Sequence, residues 1–385
     1  MLRAIVSELE GFSNPFKKYV VVLIETILAL RGRVNFTNLE RQVYVSARTH
    51  GRWHRRAHPF REINREVIRT LGSGVLLLAM DATFIRKSGK ATPGLGRFWN
   101  GTAGRAERGL EVSLVGVVEV EAGRAFALDA RQNLPADNDG TAVEAALAHL
   151  KETASEWPVG LTYGVFDGWY AKKTFVDGVL KAGLHLIGKL RKDADLRYLF
   201  VGPHENRRGR RRTSLGKVKL DAPEGFDRLG ELAPGVEWLT AVVRHVTFKR
   251  NVRVVLIVDR TKVKPKRVLL FCTDTTLDAA RILEYYQARF HIEFLFRDAK
   301  QFAGLQHCQS RNDTALDFHF NASFCAVNVA KAEAAPNVFS MASHKARAFN
   351  DLCLNRIIET FGIDPQIIQN HPNYENFRNW GTFAA

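Results

Sequence analysis

The stretch YYQARFHIEFLFRDAK, Tyr285 to Lys300, has the period of an amphipathic helix. At about 100° per residue, Tyr286, Arg289, Glu293 and Lys300 project within a wedge of about 60° on one face. The opposite face carries an apolar stripe suited to packing on a sheet, formed by Ala288, Ile292, Leu295, Ala299 and Phe302. A polar helix face is commonly only a solvated surface. The face around Glu293 becomes a candidate site if other carboxylates lie close to it.

The composition points to a polyanionic partner. The chain has 385 residues, 46% of them hydrophobic, a net charge of +16 and a pI near 9.9. Such an excess of positive charge favours nucleic acid first and an anionic membrane surface second. The longest N-terminal apolar run, YVVVLIETILAL, contains Glu25 and is too short to span a bilayer. No small-residue cleavage site of a secretory signal follows it, so we expect a cytosolic protein without a membrane partner.

Neither cysteine nor histidine spacing predicts a metal cluster. The four cysteines are widely separated and form no CxxC pair, which excludes a disulfide framework and a zinc cluster on spacing: Cys272, Cys308, Cys325 and Cys353. His50, His54 and His58 recur every four residues within an arginine-rich stretch that ends at Pro59. That setting favours a basic segment facing DNA over a metal site.

The first seventy residues form a basic helical region in this reading. They hold 13 Lys/Arg against 6 Asp/Glu, a net charge of 13 − 6 = +7. The segment NFTNLERQVYVSARTHGRWHRR, Asn35 to Arg56, can form a helix, a turn near Ser46 and a second helix. A DNA-binding module of the helix-turn-helix kind fits this pattern, and a generic helical bundle fits it as well.

The rest of the chain alternates between strand and helix patterns. Two apolar runs, VLLLAMDATF (Val75 to Phe84) and LTYGVFDGWY (Leu161 to Tyr170), each predict a buried strand that ends near an aspartate. From Arg191 onward, alternating runs such as TAVVRHVTF predict an inserted β-rich subdomain. The predicted division is a helical DNA-binding region at 1–70, a core in two parts at 71–190 and 268–330, the insertion at 191–267, and a C-terminal helical region at 331–385.

The strand-end acids Asp81 and Asp167 are the candidate partners of Glu293. A lone aspartate there is usually a turn former or a helix cap. Three carboxylates gathered within a few ångströms, however, would repel one another unless protonated or bound to a cation. Oxygen ligands with open positions suit Mg²⁺ or Mn²⁺, and two such ions activate a water or a 3′-hydroxyl at a phosphodiester. The sequence permits this meeting, because one mixed sheet with a packed helix would bring the three acids together.

In this order the residues resemble a family, the DDE transposases of the IS4 type. The helix matches the family's Y-(2)-R-(3)-E-(6)-K signature through Tyr286, Arg289, Glu293 and Lys300. The second acid lies in a similar DG-[WY]-x-x-K setting, DGWYAKK, and the segment GLQHCQSRND after the helix is also similar. The resemblance covers roughly Leu76 to Asn328.

The resemblance implies a fold, a cofactor and partners. The expected fold is α/β, an RNase H-like mixed sheet with flanking helices, interrupted by a β-rich insertion between Asp167 and Glu293, a gap of 126 residues against 86 between Asp81 and Asp167. The implied catalytic and metal-binding residues are Asp81, Asp167 and Glu293. The implied activity is Mg²⁺-dependent cutting at the ends of an insertion element, with Mn²⁺ as a possible substitute, followed by strand transfer. Its partners would be double-stranded DNA of the terminal inverted repeats and the target, bound by a homodimer in the bacterial cytosol.

Two further readings stay open. One keeps the fold and the metal chemistry but makes the protein a DNA nuclease without strand transfer. The other makes it a DNA-binding protein that derives from a transposase and has lost catalysis. A test for metal-dependent cleavage and for joined products separates all three.

Two sets of cations are predicted to contact DNA phosphates. The first lies in GPHENRRGRRRTSLGKVK, Gly202 to Lys219, a run with seven Lys/Arg opposed only by Glu205, and comprises Arg207, Arg208, Arg210, Arg211 and Arg212. The alternative for this run is a solvated surface loop. The second set is Tyr286, Arg289 and Lys300, since an arginine fork, a compact ammonium and a phenol all donate to phosphate oxygens. The alternative is that Arg289 and Lys300 pair with acids elsewhere on the surface.

Overall fold

The computed structural model describes residues 1–134, 141–200, 202, 214–335 and 339–383. Its helices are α1 Leu2–Glu8, α2 Asn14–Ala29, α3 Phe36–Glu40, α4 Ala47–Trp53, α5 Phe60–Leu71, α6 Ala142–Glu152, α7 Lys173–Lys181, α8 Ala279–Ala288, α9 His291–Gln301, α10 Asp313–Ala334, α11 Met341–Phe361, α12 Pro365–Gln369 and α13 Tyr374–Arg378. Two short 3₁₀ helices span Ala154–Glu156 and Gly168–Tyr170.

The strands join in one mixed sheet. They are β1 Leu76–Arg86, β2 Gly96–Asn100, β3 Arg105–Glu119, β4 Arg124–Asn133, β5 Tyr163–Phe166, β6 His185–Leu190, β7 Leu196–Leu199, β8 Ser214–Lys217, β9 Asp227–Ala233, β10 Val236–His245, β11 Arg250–Asp259 and β12 Lys266–Cys272. The long strand β3 runs antiparallel to both β1 and β4, whereas β1, β5 and β6 run parallel. This mixed sheet with flanking helices confirms the predicted fold class.

The core strands form because their apolar runs are buried. Residues Leu77 to Met80 in β1 and Val165 and Phe166 in β5 are fully buried, as a strand covered on both faces requires. Connections through helices α6 and α7 suit the parallel pairs, since parallel strands need a crossover. The consequence for function is that β5 ends beside the middle of β1, at Met80, the residue before Asp81.

The inserted strands continue the core sheet. β12 pairs with β6 on one side and with β11 on the other, and β10 then carries β7 and β9. The predicted β-rich content of residues 191–267 is therefore present, but these strands extend the core sheet through β12. The positions of the domain boundaries remain a prediction.

The quoted stretch forms two helices, so the prediction of one long helix is wrong. Between α8 and α9, the amide groups of Ile292 and Glu293 donate to Arg289 and Phe290, three residues back instead of four. This tightening rotates α9 relative to α8, and one 100° step per residue does not hold across the junction. The predicted apolar stripe is nevertheless buried at Ala288, Ile292, Leu295 and Ala299.

The N-terminal region contains the predicted helix, turn and helix. Asn35 caps α3 by accepting from the amide of Asn38, and Ser46 caps α4 by accepting from the amide of Thr49. His50 and His54 do not face solvent, and that the basic segment around them faces DNA stays a prediction. Both are buried and share the hydroxyl of Tyr19, at 2.9 and 3.1 Å.

Helices long and apolar enough to cross a bilayer are absent from the part of the chain that the structure describes.

Candidate active site

Asp81 and Asp167 follow paired residues of adjacent parallel strands. Met80 of β1 and Phe166 of β5 are register partners, so the two acids that come next lie side by side, with about 4.8 Å between the strands. Asp81 sits inside β1, where the strand fixes its position. Asp167 ends its strand and caps the 3₁₀ turn that follows, its Oδ1 accepting from the amide of Trp169 at 2.7 Å.

Glu293 joins this pair through Arg289. Glu293 lies in the first turn of α9, and Arg289 lies at the junction before that helix. The guanidinium of Arg289 donates from Nη1 to Asp81 Oδ2 at 3.1 Å and from Nη2 to Glu293 Oε1 at 3.3 Å. The Arg289 side chain is only 14% exposed, against 44% for Glu293. One arginine therefore connects an acid of the sheet with an acid of the helix.

The electrostatics of Asp81 show that the three acids interact. The pKa of Asp81 is raised to about 6, mainly by burial and to a smaller extent by the negative charges of Asp167 and Glu293. The amide of Ala82, which donates to Asp81 Oδ1 at 2.8 Å, and the charge of Arg289 act in the opposite direction. The three carboxylates thus carry more negative charge than the single positive charge of Arg289 balances.

The donor atoms fit a hard divalent cation, since all three side chains offer carboxylate oxygens. Within the described residues, however, no group of three or more His, Cys, Asp or Glu side chains is close enough to hold a metal ion as it stands. Arg289 bridges Asp81 and Glu293 instead. The two bonds to Asp81 and Glu293 use two of its five N–H groups, and its Nε is buried without a hydrogen-bond partner among the described residues.

The remaining signature residues are half-buried. The Arg289 guanidinium lies 5.8 Å from the centre of the Tyr286 ring, and burial raises the pKa of Tyr286. Burial lowers the pKa of Lys300, which has no acidic partner in the described part of the chain. The structure thus brings Tyr286, Arg289 and Glu293 together with Asp81. The predicted contacts Arg207, Arg208, Arg210, Arg211 and Arg212 lie outside the described residues.

Sequence reasoning missed a second acid–arginine cluster, which lies on β4. Asp129 accepts from Arg61 Nη2 at 2.8 Å and contacts His149 Nε2 at 3.1 Å, and His149 Nδ1 in turn contacts Ser113 Oγ at 3.0 Å. Ser113, Asp129 and His149 are all buried. The order Ser–His–Asp resembles a nucleophilic triad, but burial leaves the serine without access to a substrate. No motif in the sequence could have revealed this cluster, because its members come from four separate elements.

Comparison with known proteins places the chain in a family. A family model described as "DDE superfamily endonuclease" matches residues 26–253, more than half of the chain. This chain belongs to the family of DDE superfamily endonucleases. The match includes Asp81 and Asp167 and ends before Glu293. Membership in this superfamily confirms the DDE part of the resemblance that the sequence shows.

Two solved structures show a low similarity to this DDE-superfamily endonuclease. One is a cryo-EM structure of the piggyBac transposase synaptic complex with hairpin DNA, with 13% identity, a TM-score of 0.45, and coverage of 98% of this chain and 80% of that one. The other is the NurA nuclease from Sulfolobus solfataricus, with 11% identity, a TM-score of 0.25, and coverage of 60% and 80%. No curated protein matches the chain.

Proposed function

We propose that this DDE-superfamily endonuclease is a transposase of the IS4 type, which cleaves DNA at the ends of an insertion element and joins them to target DNA. The observation that carries the proposal is the register of Asp81 and Asp167 together with the bridge from Asp81 through Arg289 to Glu293. In this proposal, three acids that the sequence separates by 86 and 126 residues work together where β5 ends beside the middle of β1.

The three acids would act as the catalytic, metal-binding set. Asp81, Asp167 and Glu293 would hold Mg²⁺, which Mn²⁺ could replace, and bound metal would supply an activated water or 3′-hydroxyl and neutralise the leaving oxygen. The protein's own part is positional. β1 and the turn after β5 hold two carboxylates rigidly, and α9 carries the third. Arg289 keeps Asp81 and Glu293 from repelling each other.

The proposed partner is double-stranded DNA, both the terminal inverted repeats and the target. Tyr286, Arg289 and Lys300 would donate to the backbone near the reacting phosphate. Arg207, Arg208, Arg210, Arg211 and Arg212 would track phosphates farther away, and the basic helices of residues 1–70 would add contacts. Two copies of the chain would pair the two element ends, and the reaction would take place on nucleoid DNA in the bacterial cytosol.

The test uses purified protein and a DNA fragment that carries the gene with its native flanks. With Mg²⁺ we expect cuts at two inverted ends and, with added target plasmid, joined products. With a chelator we expect binding alone. Metal-dependent cuts without any joined product would make the protein a nuclease, and tight binding without cuts in Mg²⁺ or Mn²⁺ would make it a transposase derivative without catalysis.

A further inference from the structure

Strands β2 and β3 form a ribbon that projects beyond the catalytic strand. Gly109 of β3 is the partner of both Arg86, the last residue of β1, and Gly96, the first residue of β2. The five residues of β3 from 105 to 109 therefore pair with β2, at the end of the sheet where β1 stops. A two-stranded ribbon of this kind is narrow enough to enter the major groove of DNA.

One face of the ribbon is cationic and aromatic. Arg97 and Arg108 are register partners, as are Trp99 and Ala106, and directly opposed residues of an antiparallel pair point to the same side. All four are exposed, Trp99 by 64%. We call Arg97, Trp99 and Arg108 the ribbon patch.

The ribbon patch lies on the same face of the sheet as Asp81. Asp81 is the register partner of Leu114, and Arg108 comes six residues before Leu114 on the same strand, an even number. Side chains alternate with a period of two, and the pairing of β3 with β1 and β2 is without a bulge over this range. Asp81 and the ribbon patch therefore lie on the same side of the sheet, separated by Ile85, Leu110 and Val112, which the fold covers.

The position of Arg97 opposite Arg108 destabilises the fold. Like charges directly opposite each other destabilise a strand pair, because their Cβ atoms lie about 5 Å apart. Arg97 donates to the carbonyl of Ala106 and Arg108 to that of Gly89, and neither has an acidic partner among the described residues. Arg105, on the other face of the ribbon, is by contrast paired with Glu107 at 2.9 Å. An external anion would remove the repulsion between Arg97 and Arg108.

The spacing matches DNA. Six residues of strand at about 3.4 Å each place Arg108 about 20 Å from the level of Asp81, and Ala106, the partner of Trp99, lies about 27 Å away. Since each strand of a duplex carries one phosphate per about 3.4 Å of helix axis, these distances correspond to roughly six to eight base pairs along the axis.

We propose that the ribbon patch contacts the DNA backbone about six to eight base pairs from the phosphate that reacts at Asp81. This inference rests on the proposed function, because it takes DNA to be the molecule at the acids. Arg97 and Arg108 bind phosphates, and the indole N–H of Trp99 donates to a third backbone oxygen.

The test measures binding without divalent metal, by fluorescence anisotropy of a labelled duplex of about 30 base pairs and arbitrary sequence, at salt concentrations between about 50 and 200 mM. The double variant Arg97→Ala/Arg108→Ala should lower the slope of log affinity against log salt by nearly two units, about 0.9 for each lost phosphate contact. Arg105→Ala is the matched control and should leave the slope unchanged. Arg97→Lys/Arg108→Lys should restore most of it.

Equal slopes for wild type and the Arg97→Ala/Arg108→Ala variant would show that the ribbon patch does not contact DNA. An equal reduction of the slope in Arg105→Ala would also contradict the proposal. With element-end DNA, trimming one side of the cut to fewer than about five base pairs should abolish the difference between wild type and the double variant, because the contacted phosphates are then missing. Each side of the cut is trimmed in turn, and the side whose trimming abolishes the difference is the side, element or flanking DNA, that the ribbon patch contacts. A protein that binds as expected but never cuts in metal contradicts the proposed function and leaves the ribbon patch intact.

Discussion

Two aspartates of the same sheet, Asp81 on β1 and Asp129 on β4, each have an arginine partner and yet behave in opposite ways. Burial raises the pKa of Asp81 to about 6. Burial also acts to raise the pKa of Asp129, but hydrogen bonds from His149 and Arg61 outweigh it and lower that pKa to about 2. Arg61 grips Asp129 with two nitrogens, whereas Arg289 divides its two between Asp81 and Glu293.

The difference separates a structural acid, Asp129, from Asp81, which we propose to be catalytic. Asp129 has its partners within the fold, so its charge is stabilised and nothing is left for a ligand to supply. Asp81 faces Asp167 and Glu293 as well as Arg289, so its negative charge is still incompletely balanced. Perturbed acids with unmet charge are the ones to expect at functional sites. The comparison therefore predicts activity effects at Asp81 and stability effects at Asp129.

The largest effect is expected at the three acids that we propose to be catalytic. Asp81→Asn, Asp167→Asn and Glu293→Gln should each lower the cleavage rate by at least about 10³-fold, or roughly 4 kcal/mol of barrier. DNA binding and the melting temperature should stay close to wild type, because each change removes negative charge from a site that holds an excess. Rates come from single-turnover cleavage of end DNA. A variant that cuts at near the wild-type rate would remove its residue from the catalytic set.

The opposite outcome is expected at Asp129. Asp129→Ala leaves Arg61 and His149 without their buried partner and should cost about 3–5 kcal/mol of unfolding free energy, measured by urea denaturation. The matched control is Glu152→Ala, which breaks the neighbouring exposed pair with Arg131 and should cost less than about 1 kcal/mol. If both substitutions cost the same, Asp129 is not the closed structural cluster that its contacts indicate.

The position of Asp81 was largely predictable from the sequence, and the cluster around Asp129 was not. The apolar runs before Asp81 and Asp167 fix them on buried strands, and the polar face around Glu293 marks the helix. The partners of Asp129 come from α5 and α6, with Ser113 of β3 behind His149, and no local pattern encodes their meeting. Such a cluster arises from tertiary packing alone.

Tertiary packing also explains the errors of detail. The break between α8 and α9 at Arg289 and Phe290 depends on how α9 packs on the sheet, and the periodicity of the sequence does not contain that information. The burial of His50 and His54 depends on Tyr19, some thirty residues earlier in the sequence. An arginine-rich setting suggested a DNA-facing segment, but the histidines within it turn toward the core.

These histidines extend the comparison to acid stability. Burial lowers the pKa of His50 to about 4, below its ordinary value of 6.5. As the pH falls from 6.5 toward 4, the unfolded chain takes up a proton that the folded chain does not, so stability falls. At pH 5 this amounts to about 2 kcal/mol for His50. His50→Gln should reduce the loss of stability between pH 7 and 5 by that amount, measured by urea denaturation at both values.

The control for this effect is the exposed His371, for which His371→Gln should leave the acid sensitivity unchanged. An identical pH dependence in wild type and the His50→Gln variant would show that His50 is free to take up a proton in the folded protein.

The smallest expected effect is on DNA binding, and it distinguishes Arg289 from Arg61. Arg289→Ala should weaken binding to end DNA by about 1 kcal/mol, or roughly fivefold, because a guanidinium that holds a phosphate through two nitrogens is lost. Arg289→Lys should recover the charge but only part of the affinity, since an ammonium lacks the fork. Arg61→Ala, in contrast, should lower stability and leave DNA binding unchanged, because Arg61 is committed to Asp129. Fluorescence anisotropy at matched salt measures the DNA affinity of all three variants, and urea denaturation measures the stability of Arg61→Ala. Arg289 variants that bind as tightly as wild type would mean that Arg289, like Arg61, serves only the acids beside it.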